Sequence, residues 1–187
     1  QYLSTSGIGK ITLIDNDRVE ETNLQRQILY TSADIGLYKT DIARKRLETM
    51  NPDLNLDSHN VRFSSESISL VKDVDIIIDA TDNFKSRSTI NQISLILKKP
   101  LVMGAAIKMQ GQVAVFRNDL SNMPCYNCLY DDVEDEAGSC LDLGVLSTLT
   151  GVIGSLQATE VIKTLLSFGE SLESKLLLVD LKHMGFR

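Results

Sequence analysis

Residues 11–17 read ITLIDND, an apolar and β-branched run that ends in acidic side chains. This pattern predicts a strand of a parallel sheet with a carboxylate, Asp15, at its carboxyl end. In dinucleotide-type folds such a carboxylate follows the second strand, about twenty residues after a glycine-rich turn. Residues 1–6 are typical of the tail of a helix, with Gly7 and Gly9 in the turn that follows. We therefore expect the chain to begin inside a domain, with the first strand and its glycine turn missing.

Apolar runs and helical patterns alternate along the rest of the chain. Helical periodicity and stop signals predict helices over 38–50 and 145–168, the latter closed by Gly169. A further helix is predicted from a cap at Asp82-Asn83 to about Leu97. Apolar runs predict strands over 11–14, 54–63, 74–80, 100–106, 112–116 and 176–180.

This alternation predicts an α/β fold: a Rossmann-like, doubly wound and mostly parallel sheet with some antiparallel strands. The run VDIIIDA (74–80) is typical of a strand that is buried on both faces, and the strand at 112–116 is a candidate for antiparallel pairing. We expect one domain over residues 1–187, partial at both ends, with a crossover loop at about 117–145.

Composition excludes several classes of protein. The net charge of −6 and a pI near 4.9 argue against a general nucleic-acid binder, which needs a basic surface. The longest apolar region, 145–168, contains Glu160 and Lys163 and is too polar for a membrane span. Three cysteines are too few for a disulfide framework and fit a reducing compartment. We therefore expect a soluble, cytoplasmic protein with no nucleic-acid or membrane partner.

The segment after the first strand, DNDRVEETNLQRQILY (15–30), is rich in specific hydrogen-bonding groups. The Asp15 carboxylate is suited to the ribose hydroxyls of a nucleotide, and the planar guanidinium of Arg26 is suited to phosphate oxygens. Lys39 begins the next predicted helix, where its ammonium and the free N–H groups can face one anion. Neutral donors come from Asn23 and Gln27. The alternative is that these are ordinary solvated surface groups.

A second candidate segment is DATDN (79–83), at the carboxyl end of a predicted strand. Open α/β sheets bind ligands at that edge. Asp82 is a candidate Mg²⁺ ligand, since Mg²⁺ combines carboxylate oxygens with substrate phosphates. The alternative is that Asp82 or Asn83 caps the following helix.

Cys125 and Cys128 form a C-x-x-C pair, which supplies half of a tetrahedral zinc site. The sequence has no second such pair, and Cys140 is a possible third ligand or a separate reactive thiol. A redox pair or two plain buried thiols are the alternatives.

Several motifs in one order resemble the MoeB/ThiF family of adenylyltransferases, which is related to the ubiquitin-activating enzymes. The resemblance runs nearly end to end and rests on DxDxVxxxNLQRQ (15–27), DIGxxK (34–39), DATDN (79–83), GAAIKMQGQVAVF (104–116), PCYNCL (124–129), CLDLGVL (140–146) and GVIGSLQATEVIK (151–163). Several spaced motifs are far more specific than any one of them.

The resemblance implies that ATP–Mg²⁺ activates the C-terminal Gly-Gly of a small ubiquitin-like sulfur-carrier protein. The terminal carboxylate attacks the α-phosphorus, which gives an acyl-adenylate and pyrophosphate. A sulfurtransferase then acts on the adenylate in molybdopterin or thiamin biosynthesis, and residues 104–116 favour the molybdopterin branch. Family members are typically homodimers, and a stripe of small residues on helix 145–168 is a candidate interface: Gly151, Gly154, Ser155 and Ala158. The alternative is that this helix belongs to the core of its own domain.

By position, the resemblance assigns Asp15 to the ribose and Asn23 and Arg26 to the phosphates. It assigns Lys39 to the phosphates and Asp82 to Mg²⁺, so that Arg26, Lys39 and Asp82 are the expected catalytic residues along one rim of the sheet. Gln27 and Asn83 complete the expected nucleotide-binding set.

Two features depart from the family pattern. The glycine-rich turn is absent, and the second C-x-x-C, which normally completes the zinc site after the last strand, is absent too. Zinc is therefore expected to be unbound or weakly bound at Cys125 and Cys128. Cys140 matches a cysteine that some relatives use for a persulfide or acyl-disulfide link and that others do not need, so both a reactive role and no role stay open. Two other functions stay open: an NAD-binding oxidoreductase, and a truncated, non-catalytic domain that only binds a partner.

Overall fold

The computed structural model describes residues 1–130 and 144–187 of the chain. They fall into two compact units, Gln1–Phe63 and Ser64–Arg187. The strands are β1 (Lys10–Ile14), β2 (Asn55–His59), β3 (Ile77–Asp79), β4 (Leu101–Ile107), β5 (Gln110–Phe116), β6 (Leu176–Asp180) and β7 (Gly185–Phe186). The helices are α1 (Lys39–Met50), α2 (Ile68–Val71), α3 (Phe84–Leu97), α4 (Tyr126–Leu129) and α5 (Ser147–Leu166). Short 3₁₀ turns span Tyr2–Thr5, Glu21–Asn23, Ser32–Asp34 and Ser65–Ser67.

The first unit is a β-α-β arrangement. Strands β1 and β2 pair in parallel, from Lys10 opposite Asn55 to Ile14 opposite His59, and α1 lies between them in the chain. Leu47 of α1 packs with two leucines at the start of β2, Leu54 and Leu56. Because the strands are parallel, both carboxyl ends lie at one edge, which is where Asp15 follows β1.

The second unit contains a five-stranded sheet in the order β3-β4-β5-β6-β7. Strands β3 and β4 are parallel and are connected through α3, whereas the remaining pairs are antiparallel. Helix α5 packs on β4 and β5 and contributes Leu149 and Ile153 to a core with Val113 and Val179. Apolar side chains on one face of β5 and β6 therefore pack against α5.

The predicted α/β fold class with parallel and antiparallel pairing is confirmed, and every predicted strand and helix has a counterpart. Among the described strands, three pairs are antiparallel and two are parallel, so the antiparallel share is larger than expected. The single-domain organisation stays a prediction.

Two local predictions were wrong. The run 74–80 yields only three strand residues, and Ile78 is 39% exposed, so this strand is not buried on both faces. Helix α5 ends at Leu166 rather than near Gly169, because Ser167 itself takes the left-handed conformation with φ 52°. The short helices α2 and α4 were not predicted, since four residues are too few for a periodic pattern.

Part of the predicted crossover loop, including Cys140 and the acidic tract that begins at Asp131, lies outside the described residues. None of the helices in the described ranges combines the length and the apolar content needed to cross a lipid bilayer.

Candidate functional site

Asp15 lies directly after β1, at the carboxyl end where the sequence places it. Its Oδ1 accepts a hydrogen bond of 2.8 Å from the backbone N–H of Asp17, which closes a tight Asx turn. The Asp15 N–H donates to the carbonyl of His59 at the end of β2, at 3.2 Å. The backbone of Asp15 is therefore held beside the end of β2, and its carboxylate is oriented by the turn that follows β1.

The NLQRQ segment folds as a helical turn after Glu21–Asn23. Asn23 is only 5% exposed, and its Oδ1 accepts from the N–H of Glu20 at 3.4 Å. Arg26 Nη1 donates to the carbonyl of Thr22 at 2.8 Å, which anchors the guanidinium one turn back. Among the described residues, the buried Gln27 Oε1 has no hydrogen-bond partner. Asn23 thus stabilises the turn, while the side-chain oxygen of Gln27 is available to accept a hydrogen bond.

Lys39 is the first residue of α1, as the sequence predicted. Its side chain is only 10% exposed, and Nζ lies 2.9 Å from Oδ2 of Asp17, whose side chain is 60% exposed. The aliphatic part of the Lys39 side chain is therefore buried, and its ammonium is held at the amino end of a helix. The helix dipole favours the binding of anions at that end.

Tyr30 joins this group, although sequence reasoning did not single it out. Its hydroxyl donates to the carbonyl of Lys39 at 3.3 Å. Burial raises the pKa of Tyr30 to about 12, and the charge of Asp15 acts in the same direction. The phenol therefore stays neutral at physiological pH and ties the segment after β1 to the start of α1.

The far end of this segment is anchored by Asp34. Its Oδ2 accepts from the N–H of Thr31 at 2.7 Å and pairs with Arg46 on α1. The Thr31 N–H, aided by Arg46, lowers the pKa of Asp34. The loop that carries Arg26 is thus fixed to α1 by a charged pair that sequence reasoning did not identify.

In the second unit, the DATDN turn separates the roles of its two polar residues. Asn83 caps α3, since its Oδ1 accepts from the N–H of Ser86 at 2.8 Å. Among the described residues, the exposed Asp82 carboxylate accepts one long bond of 3.3 Å, from the Asn83 amide. The helix-cap alternative therefore applies to Asn83, and Asp82 presents its carboxylate to solvent.

Asp79, the last residue of β3, is 1% exposed. Its Oδ1 accepts from the N–H and the hydroxyl of Thr81, at 2.8 and 2.7 Å. Burial raises the pKa of Asp79, and the hydrogen bonds from Thr81 and the charge of Arg87 act in the opposite direction. Sequence reasoning missed this residue; the available signal was a carboxylate at the end of an apolar strand run.

Gln157 of α5 connects the two parallel strands of the second sheet. Its Nε2 donates to the carbonyl of Asp79 at 2.8 Å, with a longer 3.4 Å contact to the carbonyl of Val102. Gly104 makes room for it, because a Cβ there would lie 2.3 Å from the Gln157 Cδ. The glutamine thus satisfies a carbonyl at the end of β3, close in the chain to the DATDN turn.

The C-x-x-C pair lies at the start of the one-turn helix α4. The two Sγ atoms are 3.6 Å apart, and both cysteines are free thiols. Burial raises the pKa of Cys125, but hydrogen bonds from the Cys128 N–H, the Asn91 side chain and the Asn127 N–H outweigh burial, so the net pKa is lowered. Asn91 of α3 also accepts from the N–H of Tyr126 at 3.3 Å, which fixes α4 to α3.

The sulfur separation matches two adjacent ligands of a tetrahedral zinc ion, for which Zn–S bonds of about 2.3 Å give roughly 3.8 Å. Across residues 1–130 and 144–187, however, no group of three or more His, Cys, Asp or Glu side chains is placed to hold a metal ion. The described part of the chain therefore supplies half of a zinc site. The Asp82 carboxylate fits one ligand position of Mg²⁺, which takes its other ligands from phosphates and water.

The predicted residues are divided between the two units. The loop after β1 and the start of α1, in the first unit, carry Asp15, Asn23, Arg26, Gln27 and Lys39. In the second unit, Asp82 and Asn83 precede α3, and Cys125 and Cys128 lie at α4. Cys140 lies outside the described residues.

These features define a Rossmann-like α/β protein with candidate nucleotide-binding residues after two of its strands. The chain belongs to the ThiF family, which matches residues 1–187. It is 40% identical over 193 residues to "Sulfur carrier protein adenylyltransferase" of Thermus thermophilus, across 100% of this chain and 71% of that protein. It is 40% identical over 188 residues to "Molybdopterin-synthase adenylyltransferase" of Salmonella typhimurium, across 100% of this chain and 75% of that protein.

Longer proteins match as well. "Adenylyltransferase and sulfurtransferase MOCS3" of Culex quinquefasciatus is 40% identical over 189 residues, and this chain spans 43% of its length. The crystal structure of MccB from E. coli superposes with a TM-score of 0.84 at 23% identity, over 100% of this chain and 56% of MccB, and shows a common fold. The relatives place the chain among the adenylyltransferases, and they give no support to an NAD-binding oxidoreductase.

Proposed function

We propose that this protein uses ATP to adenylate the C-terminal glycine of a small ubiquitin-like sulfur-carrier protein and releases pyrophosphate. The observation that carries the proposal is the 40% identity, over the whole chain, to two adenylyltransferases of which the chain spans 71% and 75%. The names of these relatives specify a sulfur carrier and the molybdopterin synthase as their targets. The molybdopterin branch is favoured for this chain, and the thiamin branch is the second candidate.

The reaction joins two anions, so it needs fixed positive charge. The carrier carboxylate attacks the α-phosphorus, an acyl–phosphate bond forms, and the bond to the bridging oxygen breaks as pyrophosphate leaves. Arg26 and Lys39 would offset the charge on the phosphates, since both are held by neighbours in advance: Arg26 by the Thr22 carbonyl and Lys39 by Asp17. Such preorganised donors avoid reorganisation during the reaction.

The remaining candidate residues of the first unit would orient the nucleotide. Asp15 would accept hydrogen bonds from the ribose hydroxyls, because its carboxylate stands at the carboxyl end of β1. Gln27 has a buried oxygen without a partner in the described chain, which supports a role in ligand binding. Asn23 would act mainly by holding the turn that carries Arg26.

In the second unit, Asp82 would hold the Mg²⁺ that accompanies the phosphates. The exposure of its carboxylate, and the one long hydrogen bond it accepts within residues 1–130 and 144–187, support this role. When bound, the metal would supply charge neutralisation on phosphate oxygens. Asn83 would keep α3 capped and thereby hold the turn in place.

Other expected properties stay predictions. Zinc at Cys125 and Cys128 needs further ligands from outside the described residues. A homodimer would use the outer face of α5, where Gly151 and Gly154 are exposed; Ala158 of the expected small-residue stripe is instead buried. A sulfurtransferase partner is suggested by the MOCS3 relative, and a cytoplasmic location fits the pair of free thiols.

The test is ATP–pyrophosphate exchange by the whole protein with candidate carriers. Exchange that depends on a carrier with an intact Gly-Gly terminus supports the proposal, and a carrier that lacks the last glycine is the matched control. Thermal stabilisation by ATP–Mg²⁺ but not by NAD separates adenylation from an oxidoreductase. Carrier binding without any exchange would instead show a non-catalytic partner-binding protein.

A further inference from the structure

The backbone N–H and the backbone carbonyl of Thr81 are each bound by a buried, ionisable side chain. Asp79 Oδ1 accepts from the Thr81 N–H at 2.8 Å and from its hydroxyl at 2.7 Å. Arg87 donates to the Thr81 carbonyl through Nη2 at 2.8 Å and through Nε at 3.3 Å. The backbone donor, the backbone acceptor and the side chain of this one residue are therefore all fixed. We call this arrangement the Thr81 clamp.

Both charged members of the Thr81 clamp are buried, with Asp79 1% and Arg87 8% exposed. Placing a carboxylate and a guanidinium away from water is costly, and well-packed apolar side chains are often at least as stable there. In the described chain, Oδ2 of Asp79 has no hydrogen-bond partner, so hydrogen bonds offset only part of the free energy lost when this carboxyl group leaves water. Stability alone therefore explains the Thr81 clamp poorly.

The geometry of the turn gives a different reason. Asp82 follows Thr81 directly, and the Asp82 carboxylate is exposed. On one side, Gln157 holds the carbonyl of Asp79; on the other, Asn83 caps α3. Only the Thr81 clamp fixes the backbone immediately before Asp82 among the hydrogen bonds of the described turn. The direction in which Asp82 leaves the turn thus depends on Asp79 and Arg87.

We propose that Asp79 and Arg87 are positioning residues that set the Asp82 carboxylate for a divalent cation bound to nucleotide phosphates. The inference rests on the proposed function and extends it to two residues that do not touch the ligand. Metal coordination tolerates small errors in ligand placement poorly, so a freed turn weakens cation binding even when the Asp82 side chain is intact.

The first test measures how firmly the Thr81 clamp holds the Thr81 amide in the absence of any ligand. Hydrogen–deuterium exchange of the Thr81 amide is expected to speed up about tenfold or more in Asp79→Ala, because its acceptor is lost. Asp79→Asn keeps Oδ1 as an acceptor and is expected to retain slow exchange. Asp75→Ala, which removes an exposed carboxylate of the same unit, is the matched control. Wild-type exchange at Thr81 in Asp79→Ala would overturn the inference.

The second test reads cation binding. Electron paramagnetic resonance of Mn²⁺ in the presence of ATP is expected to show affinity weakened about tenfold in Asp79→Ala and in Arg87→Met, with Asp79→Asn close to wild type. Arg87→Met also serves if Asp79→Ala does not fold. A merely structural role would lower stability without this selective loss of Mn²⁺ affinity.

The positioning role of Asp79 and Arg87 and the metal-binding role of Asp82 can fail separately. Wild-type Mn²⁺ affinity in Asp79→Ala or in Arg87→Met overturns the positioning role. Wild-type Mn²⁺ affinity in Asp82→Asn overturns the proposed role of Asp82 itself, whatever happens at the Thr81 amide.

Discussion

Lys39 Nζ lies 2.9 Å from the Asp17 carboxylate, so the cation expected to meet phosphate is already paired with an anion. The Lys39 side chain is 10% exposed, but its partner is 60% exposed. Because the Asp17 carboxylate is largely solvated, a phosphate with two or more charges can displace or share this contact while the ammonium keeps an anionic partner. The pair therefore orients the ammonium without blocking it.

We expect Lys39→Gln to lower the rate of ATP–pyrophosphate exchange by on the order of 10² to 10³ because it removes one preorganised positive charge from the phosphates. The side chain keeps most of its buried stem, so the unfolding transition should change little. The measurement is exchange at saturating carrier over a range of ATP concentrations.

Lys45→Gln is the matched control, since Lys45 is an exposed lysine on the same helix. Asp17→Asn is the complementary variant: it removes the competing charge and should leave exchange within about threefold of wild type. Equal losses in Lys39→Gln and Lys45→Gln would show that only net charge matters and would remove Lys39 from the site.

Substitutions at the neighbours Asp82 and Asn83 should affect different properties: the first should lower activity and the second should lower stability. Asp82→Asn removes an exposed carboxylate and is expected to reduce exchange by about 10² or more with little change in stability. Asn83→Ala removes the α3 cap and is expected to cost about 1 kcal/mol in the free energy of unfolding. Urea denaturation and pyrophosphate exchange on both variants check the prediction, and a swap of the two profiles would contradict it.

The sequence predicts the elements of this fold well where the signal is local. The stop at Asn51-Pro52 and the capping pair Asp82-Asn83 set the end of α1 and the start of α3 within a residue. The end of α5 was missed because Ser167, rather than a glycine, adopts the left-handed conformation. Rare conformations of ordinary residues leave no reliable mark in a single sequence.

The candidate site shows the same limit. Motifs indicated which residues are chemically suited to the ligand, but not which partners they contact before the ligand arrives. The pairing of Lys39 with Asp17 spans 22 residues, and the bond from Gln157 to the Asp79 carbonyl spans 78. Contacts at such separations depend on how strands and helices pack, which periodicity does not encode.

Gly104 and Gln157 allow a test of the packing around the end of β3. A Cβ at residue 104 would lie 2.3 Å from Gln157 Cδ, so Gly104→Ala must push the buried amide off the Asp79 carbonyl. We expect a loss of about 1–3 kcal/mol in the free energy of unfolding. Gln157→Ala should lose a similar amount, since a buried carbonyl is left unpaired.

The double variant should lose less than the sum of the two single losses, because the shortened side chain at 157 accommodates the new methyl group. Gly9→Ala is the control: nothing lies within 4 Å of its added Cβ, so the free energy of unfolding should change little. Additive losses in urea denaturation would contradict the predicted contact.

The buried Asp79 should make the free energy of unfolding depend on pH, with a sign that follows from the direction of its pKa shift. Burial raises its pKa above the ordinary value of 3.8, so the folded state holds this proton more tightly than the unfolded chain. The stabilisation is complete below that ordinary value and is lost as the pH rises through the folded pKa. Asp79→Asn cannot ionise. The free energy of unfolding of wild type minus that of Asp79→Asn should therefore fall as the pH rises above about 4 and then level off.

Asp34 should behave in the opposite way, which makes it an internal control for this measurement. The N–H of Thr31 lowers its pKa, so its stabilisation is present above the ordinary value and is lost as the pH falls through the folded pKa. Urea titrations of wild type, Asp79→Asn and Asp34→Asn from about pH 3 to 8 should give two difference curves of opposite slope. A flat curve for Asp79→Asn would mean that its carboxylate keeps an ordinary pKa, and that the unpartnered Oδ2 reaches water after all.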